Sequence, residues 1–426
     1  TVTAFAYGGD GRRTDTWWNT NPDHTSFAAH THLFFNRDGH IQRSWTSRNS
    51  DDTNLVFDTT YCYTQVTGTS CPNSSPTNYP AGDLIVWSID RLTGARSDYS
   101  YDAGNRLTKV TNYHGHTYGY GYDANGNRTS VTVDGTTTQT LGFNAGNQIT
   151  DTGYHFNAAG QQNHSPGNGV LSYNAAGQMT SQSSSSTDSA YTWAGPGMDE
   201  LLSSKVTGGD TYDYVYGRTD TNGLPVIDSV AKNGTTSYLT NDPDGTPLAM
   251  RLAGGQADYY VRDGQGSIVA LIDGTGATTG TYTYDPYGNQ TAQTGTGTAV
   301  DLNPFRYTGG LLDRGTGWLK HGTRWNDTTT GRWTTPDPIT HLNDPERANP
   351  YQYAGSNPCN NTDPTGRCTE SDALEAAVAV SGLTTTSEGA IVVATSELLV
   401  AEPGIIALTA IAGLAIGGAL LYCALD

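Results

Sequence analysis

The feature that most constrains this chain is a repeat. Its unit is an aromatic residue, then Asp or Asn, two small residues, and a Gly or Asn before a polar residue. It reads YDAGNRLT from Tyr101, YDANGNRTS from Tyr122, FNAGNQIT from Phe143, FNAAGQQN from Phe156 and YNAAGQMT from Tyr173, with starts 21, 21, 13 and 17 residues apart. A period near 20 with one tight turn per unit predicts two short strands per unit, stacked side by side into a long sheet. Asp or Asn followed by Gly supplies the turn, because these residues tolerate positive φ. The aromatic is the inward anchor, so Tyr101, Asp102, Tyr122 and Asp123 are the expected repeat anchors. A second form, YYVRDGQGSIVALIDGTGATTGTYTYDPYGN, runs from Tyr259 to Asn289. Read as calcium loops, these turns lack the bidentate acid that completes an EF-hand, so they are expected to be structural.

Composition agrees with such a wall. The 426 residues allow two or three domains, apolar residues are only 35%, and Gly (52) and Tyr (26) are abundant. Many turns and aromatic strands favour extended all-β architecture over one packed core. The net charge of −19 opposes a phosphate-backbone partner, so no nucleic acid is expected. No cofactor is indicated either. Before the repeat, Trp17-Trp18, His32–Phe35 and Leu84–Asp90 read as strands, and Asp38-Gly39 as a tight reversal. His24, His30 and His32 with Asp23 could form a metal site, but they read better as surface and strand histidines. His114 and His116 read the same way, so no metal is expected.

Five cysteines are candidates for disulfides: Cys62, Cys71, Cys359, Cys368 and Cys423. Cys62 and Cys71 lie close in a loop-like stretch, and no pair has zinc-ligand spacing. Disulfides imply an exported protein. Thr1 opens without Met or a signal peptide. We expect the C-terminal piece of a longer chain.

From Asn303 to Gly366 the material changes. Pro304–Gly309 (PFRYTG), Leu312-Asp313, Thr316–Trp318, Gly331–Trp333, Pro336–Pro338, Tyr351–Tyr353, Asn357-Pro358 and Asp363–Gly366 (DPTG) fall in one order. This order, with the YD units before it, resembles the Rhs/YD-repeat family and its Rhs-associated core over roughly residues 95–366. The family includes bacterial polymorphic toxins, the C component of insecticidal toxin complexes, and the teneurin YD shell. The resemblance implies a β-sheet that spirals into a hollow shell, with the core as a plug and a variable C-terminal segment inside. It also implies an aspartyl autoprotease acting once on its own chain. Asp337 and Asp363 match its acids, with cleavage near Arg367. Two close carboxyls cannot both ionise, so one stays protonated as an acid while the other activates water. Here Thr340 stands where Gly is usual, the acids are 26 residues apart, and Arg367 replaces an apolar residue. The competing reading makes both Asp-Pro steps rigid turns.

Residues 367–426 are helix-forming and apolar. Asp372 with Glu375 makes an N-terminal cap for Leu374–Val380, and a second helix is expected from about Ser387 to Glu402. Gly404–Leu425 is 22 residues without a charge, with Gly413 and Gly417 as a GxxxG. The tail holds seven acids against one base and no His or Lys, which disfavours a hydrolytic payload. Three readings stay open: a membrane-inserting toxin kept soluble inside the shell, a hydrophobic plug or degenerate payload, and a membrane anchor.

The expected architecture is therefore mainly β. Residues 1–88 form an N-terminal segment of the shell, 89–302 the YD-repeat β-shell, 303–366 the core plug, and 367–426 the apolar helical cargo or membrane segment. The expected function is a secreted or cell-surface polymorphic toxin that encloses and releases its own C-terminal segment. A target membrane and an immunity protein would then be its partners. The alternative is a teneurin-like adhesion shell whose tail is structural.

Overall fold

The computed structural model describes residues 3–48, 54–64, 68, 70–71, 83–195, 199–206, 208–221, 223–338, 348–367, 384–385 and 391–392. Two long antiparallel sheets dominate. In each, every strand pairs with its neighbours in sequence. The first has 11 strands and opens with β1 (Thr3–Tyr7), β2 (Arg13–Trp18), β3 (Ala29–Phe35) and β4 (Ile41–Ser47), ending at Thr136–Thr140. It runs without a break past residue 88. The second has 14 strands, from His155–Phe156 to Gln290–Thr294.

The repeat turn has one construction throughout. Asp102 Oδ1 accepts the N–H groups of Gly104 and Arg106, both at 3.0 Å. Asp123 Oδ1 accepts those of Asn125 and Asn127, both at 2.9 Å. Asn144, Asn157 and Asn174 do the same two and four residues on. So do Asp242, Asp263, Asp273 and Asp285. The residue three places after the acid or amide must be left-handed. It is Gly126 (φ 77°) after Asp123, and Asn105 (φ 57°) after Asp102.

The aromatics tie one turn to the strands before it. The Tyr101 hydroxyl donates to Ile85 O at 2.7 Å and the Tyr122 hydroxyl to Leu107 O at 2.6 Å. Tyr216 and Tyr284 repeat the bond to Leu201 O and Ile268 O. Between Tyr101 and Tyr122 lie two strands, Leu107–Tyr113 and His116–Tyr122. The shortest spacing, Phe143 to Phe156, holds only one isolated bridge, Phe143 to Ile149. Too few residues remain there for two strands and their turns, and the two sheets part at that point.

The plug fills the space against both sheets. Its Phe305, Tyr307, Trp318, Trp325, Trp333 and Tyr353 share one core with Leu171, Tyr191, Tyr212 and Tyr260 of the second sheet. Toward the first sheet, Asn349 Nδ2 donates to Asn127 Oδ1 at 2.8 Å, and Ile85 N donates to Asn360 Oδ1 at 2.7 Å. Plug residues Leu311–Leu312, Leu319–His321, Arg324–Asp327 and Arg332–Trp333 form a small sheet of their own.

In the tail, Thr384–Thr385 pairs antiparallel with Ile391–Val392. At Ile391–Val392 this corrects the helix expected from about Ser387 to Glu402, since β-branched residues favour a pleated strand; the rest of that span lies outside the described residues. The helices expected over Leu374–Val380 and Gly404–Leu425 lie outside the described residues. Among the described residues no helix is long and apolar enough to cross a membrane.

The turn chemistry makes a prediction. Asp123→Asn should change stability little, because three units, at Asn144, Asn157 and Asn174, already use Asn there. Asp123→Ala strands two N–H groups and should cost about 1–3 kcal/mol. Urea melts of both variants beside the wild type check this, and three equal midpoints would remove the side-chain oxygen from the account.

Candidate functional site

The site is built on the hairpin that joins Leu319–His321 to Arg324–Asp327. Its turn contains Gly322 at φ 45°, where a Cβ would strike Thr365 O; a Cβ on Gly366 (φ 67°) would strike His321 O. The two glycines let the Asp363–Gly366 segment lie directly on the hairpin. Thr323 then clamps it, its N–H donating to Thr365 O at 3.0 Å and its hydroxyl to Gly366 O at 3.2 Å.

Arg324 follows at once and is the centre of the site. Its side chain is 3% exposed, with the guanidinium over the Trp333 ring at 4.3 Å. Nη1 donates to Pro350 O at 3.2 Å. Nη2 meets Asp337 Oδ2 at 2.7 Å and Asp363 Oδ2 at 3.1 Å. Two acids that are 26 residues apart in sequence thus converge on one nitrogen. Asp337 is held on its side by its own N–H, which donates to Pro350 O at 2.8 Å.

Asp363 is the more buried of the two, its side chain 3% exposed against 14% for Asp337. Burial pushes its carboxyl up to about 6; Arg324 opposes this and Asp337 adds to it. Its Oδ1 accepts the Thr365 hydroxyl at 3.2 Å and the Arg367 N–H at 3.1 Å. The carboxyl therefore sits inside the turn that leads into Arg367. Chemically this is a pair of acids with unequal environments, one poised to hold a proton near neutral pH.

The surroundings carry two further buried bases. Burial brings the Lys320 amine down to about 8, and it donates to Asp199 O at 2.7 Å and to Gly322 O. Burial holds His321 neutral, down at about 3, and its Nε2 has no hydrogen-bond partner. Both line a cavity of about 170 Å³ shared with Asp199, Thr308 and Pro364. Sequence reasoning named neither of these bases nor Arg324. The available signal was a run of basic residues, Lys320, His321 and Arg324, set between Trp318 and Trp325. A cation in such an apolar hairpin has to find acids or carbonyls.

The other named residues are dispersed. Cys62 and Cys71 are joined, with Cα atoms 5.6 Å apart. Cys359, a disulfide candidate on sequence, is instead a free buried thiol beside Tyr99, Tyr120 and Tyr287. Burial raises it far above the range of a reactive thiol. Cys368 and Cys423 lie outside the described residues. Tyr101, Asp102, Tyr122 and Asp123 serve the repeat, and two of them also reach the plug. Tyr122 Oη lies 3.5 Å from Ser356 O, and Tyr101 Oη accepts from Asn360 Nδ2 at 2.8 Å. The sequence offers His116 no carboxylate at ligand spacing, yet the strand pairing brings Asp134 Oδ2 to 2.7 Å from its Nδ1. Asp23 stays in its own turn, accepting from the Thr25 hydroxyl at 3.2 Å.

A family model for the teneurin YD-shell matches residues 77–359. The chain is 29% identical over 283 residues to tRNA nuclease WapA of Bacillus subtilis (strain 168), which covers 64% of this chain and 11% of that protein. It is 27% identical over 200 residues to teneurin-3 of Danio rerio, covering 44% of this chain and 7% of that one. It therefore spans a small part of the length of these relatives. The crystal structure of TcdB2-TccC3 superposes with a TM-score of 0.65 over 85% of this chain and 20% of that chain, at 16% identity. At that identity the likeness establishes the fold.

Arg324 pairs with two acids at a largely buried site, so its loss should be costly. We expect Arg324→Met to lower stability by about 3–5 kcal/mol near neutral pH. The loss should shrink below about pH 5, where the stranded acids take up protons. Urea melts at pH 5 and pH 8 test this. A pH-independent loss would mean that packing, not charge, is what Arg324 supplies.

Proposed function

Because the chain belongs to the teneurin YD-shell family, we propose that it is the C-terminal part of a secreted or cell-surface polymorphic toxin whose plug cuts the chain once, after Arg367, and frees the apolar segment behind it. The observation that carries this reading is the convergence of Asp337 and Asp363 on Arg324 Nη2, with Asp363 accepting the Arg367 N–H. In the proposed step, water attacks the Arg367 carbonyl carbon. Asp337 takes the proton from that water. Asp363, the carboxyl with the raised proton affinity, donates its proton to the departing amine of Cys368. The products are a carboxylate at Arg367 and an amine at Cys368. The shell's apolar and aromatic lining would keep a 22-residue uncharged stretch out of water until release. A target membrane would receive it, and an immunity protein would protect the producing cell. The nuclease activity in the name of WapA is that protein's own; this tail, with its single Arg and no His or Lys, supports a different cargo.

A second reading has an observation of its own. Arg324 bridges both acids, as a structural lock would, and the chain would then be an adhesive shell with a permanent plug. Intact mass of the purified chain, beside Asp363→Asn and Asp337→Asn, separates the two. A fragment ending at Arg367 in the wild type and absent from both variants supports processing. A single full-length mass in all three leaves the lock.

The pH dependence has a defined sign. The folded site binds its proton more tightly than an ordinary carboxyl at 3.8, with affinity raised to about 6. Its contribution to stability is therefore fully present below about 3.8 and is lost as pH rises through about 6. Cleavage that uses the protonated form should slow over that same upper limb. A time course from pH 4.5 to 8 checks it, and a rate that rises with pH across 6 would exclude Asp363 as the acid.

A further inference from the structure

The first sheet carries a cluster that the processing site does not use. β2 and β3 pair with Asp15 opposite His32 and Trp17 opposite His30; β3 and β4 pair with His32 opposite Trp45. Side chains alternate across a strand. Trp18 and Ala29 therefore take the face that packs on Leu248 and Tyr259 of the second sheet. Asp15, Trp17, His30, His32 and Trp45 take the other.

On that face one carboxylate oxygen meets two imidazoles. Asp15 Oδ1 lies 2.8 Å from His30 Nε2 and 2.7 Å from His32 Nδ1. Oδ2 is occupied by the Thr14 hydroxyl at 2.7 Å, which fixes the carboxylate plane. The rings are held by aromatics. His30 stacks on Trp17 at 4.8 Å and 1°, and stands edge-on to Trp45 at 5.0 Å. His32 lies against Trp45 at 5.5 Å. Trp17 is itself backed by His24, stacked at 4.5 Å. Arg43, on the same face of β4, is engaged by Asp58 through two bonds of 2.8 and 2.6 Å. The three ligand groups are mostly buried but open on one side, their side chains 16–30% exposed.

We propose that Asp15, His30 and His32 form a binding site for one late first-row divalent metal ion, with Zn²⁺ as the reference ion, that pins β2 to β3 and keeps a fourth position open to solvent. Two imidazole nitrogens and one carboxylate oxygen are the donors such an ion selects over calcium or magnesium, which prefer all-oxygen sets. The three donor atoms lie within 4.8 Å of one another. Tetrahedral Zn²⁺ with bonds of about 2.0–2.2 Å needs donors roughly 3.3 Å apart, so the cluster opens by about half an ångström to admit it. Binding takes the place of the hydrogen bonds to Asp15 Oδ1. The proton on each ligating nitrogen moves to the other ring nitrogen or to water. Thr14 and the tryptophans then act as the outer groups that orient the ligands.

The test uses the full chain, stripped with a chelator and titrated with Zn²⁺ by calorimetry and with Co²⁺ by visible absorption. One ion per chain is expected, with Co²⁺ bands of tetrahedral intensity and a higher thermal midpoint. Asp15→Asn and His32→Gln should each weaken Zn²⁺ binding by at least about tenfold. His116→Gln, at a separate His–Asp pair, should leave it unchanged. To separate loss of a ligand from loss of the fold, wild-type protein is also carbethoxylated with and without Zn²⁺. Selective protection of His30 and His32 supports the site. Zn²⁺-independent modification of both, absence of stoichiometric binding, or binding that survives both ligand changes overturns it.

Discussion

Each repeat turn of this wall depends on one small interaction. A side-chain oxygen of Asp or Asn accepts two backbone N–H groups, two and four residues ahead, while the residue between them turns left-handed. Buried or half-buried N–H groups must be paired. Here the turn pairs them from within, so a strand can end and reverse without help from a neighbour. That fixes the register of the next strand, because a one-residue slip would break both bonds and turn every side chain over. The tyrosine just before the acid or amide is then carried to the same face each time. Its hydroxyl finds a carbonyl about 15 residues back, as Tyr101 and Tyr122 do. Local turn and long-range anchor are thus specified by two adjacent residues.

This is why the wall was legible in the sequence and the plug less so. A YD or FN pair followed by a left-handed residue carries its own geometry, and the strand count follows from the spacing. The parting of the two sheets was not expected: the repeat predicted one long sheet, and the short interval between Phe143 and Phe156 is where it divides. The plug has no such period. Asp337 and Asp363 were nameable only through the order of motifs around them. What joins them, Arg324, sits in a hairpin whose sequence gives no hint of its partners, because they arrive from residues far along the chain. The histidine cluster fails in the same way. Sequence proximity offered Asp23 to His24, whereas strand register delivers Asp15 to His32. Register is a property of the sheet and is invisible in a single strand.

The tail shows the converse limit. Apolar composition and capping residues favoured helix, but the one described pairing there joins Thr384–Thr385 to Ile391–Val392. Propensity over a few residues is a weak prior that strand pairing overrides. Hydrophobicity alone does not choose between helix and strand.

Electrostatics distinguish the plug from the wall. The chain as a whole is strongly acidic, yet the plug buries cations, Arg306 over Tyr282 at 4.5 Å, Lys320 over Trp193 at 5.4 Å and Arg332 over Tyr351 at 4.9 Å, and half-buries Arg314 over Tyr212 at 3.9 Å. Aromatic faces and backbone carbonyls solvate these charges in place of water. Most of them thus need no buried carboxylate, and the cost of desolvating an ion pair is avoided. Arg324 departs from that pattern. It too lies on a ring, Trp333, but it also meets two acids. One positive charge cannot neutralise two negative ones, so the surplus is met by proton uptake at the more buried acid, Asp363. A plug that needed only rigidity could have used one acid, or none. The second acid makes this one place in the fold where charge balance depends on a proton, and it lies beside the turn that leads out to Arg367.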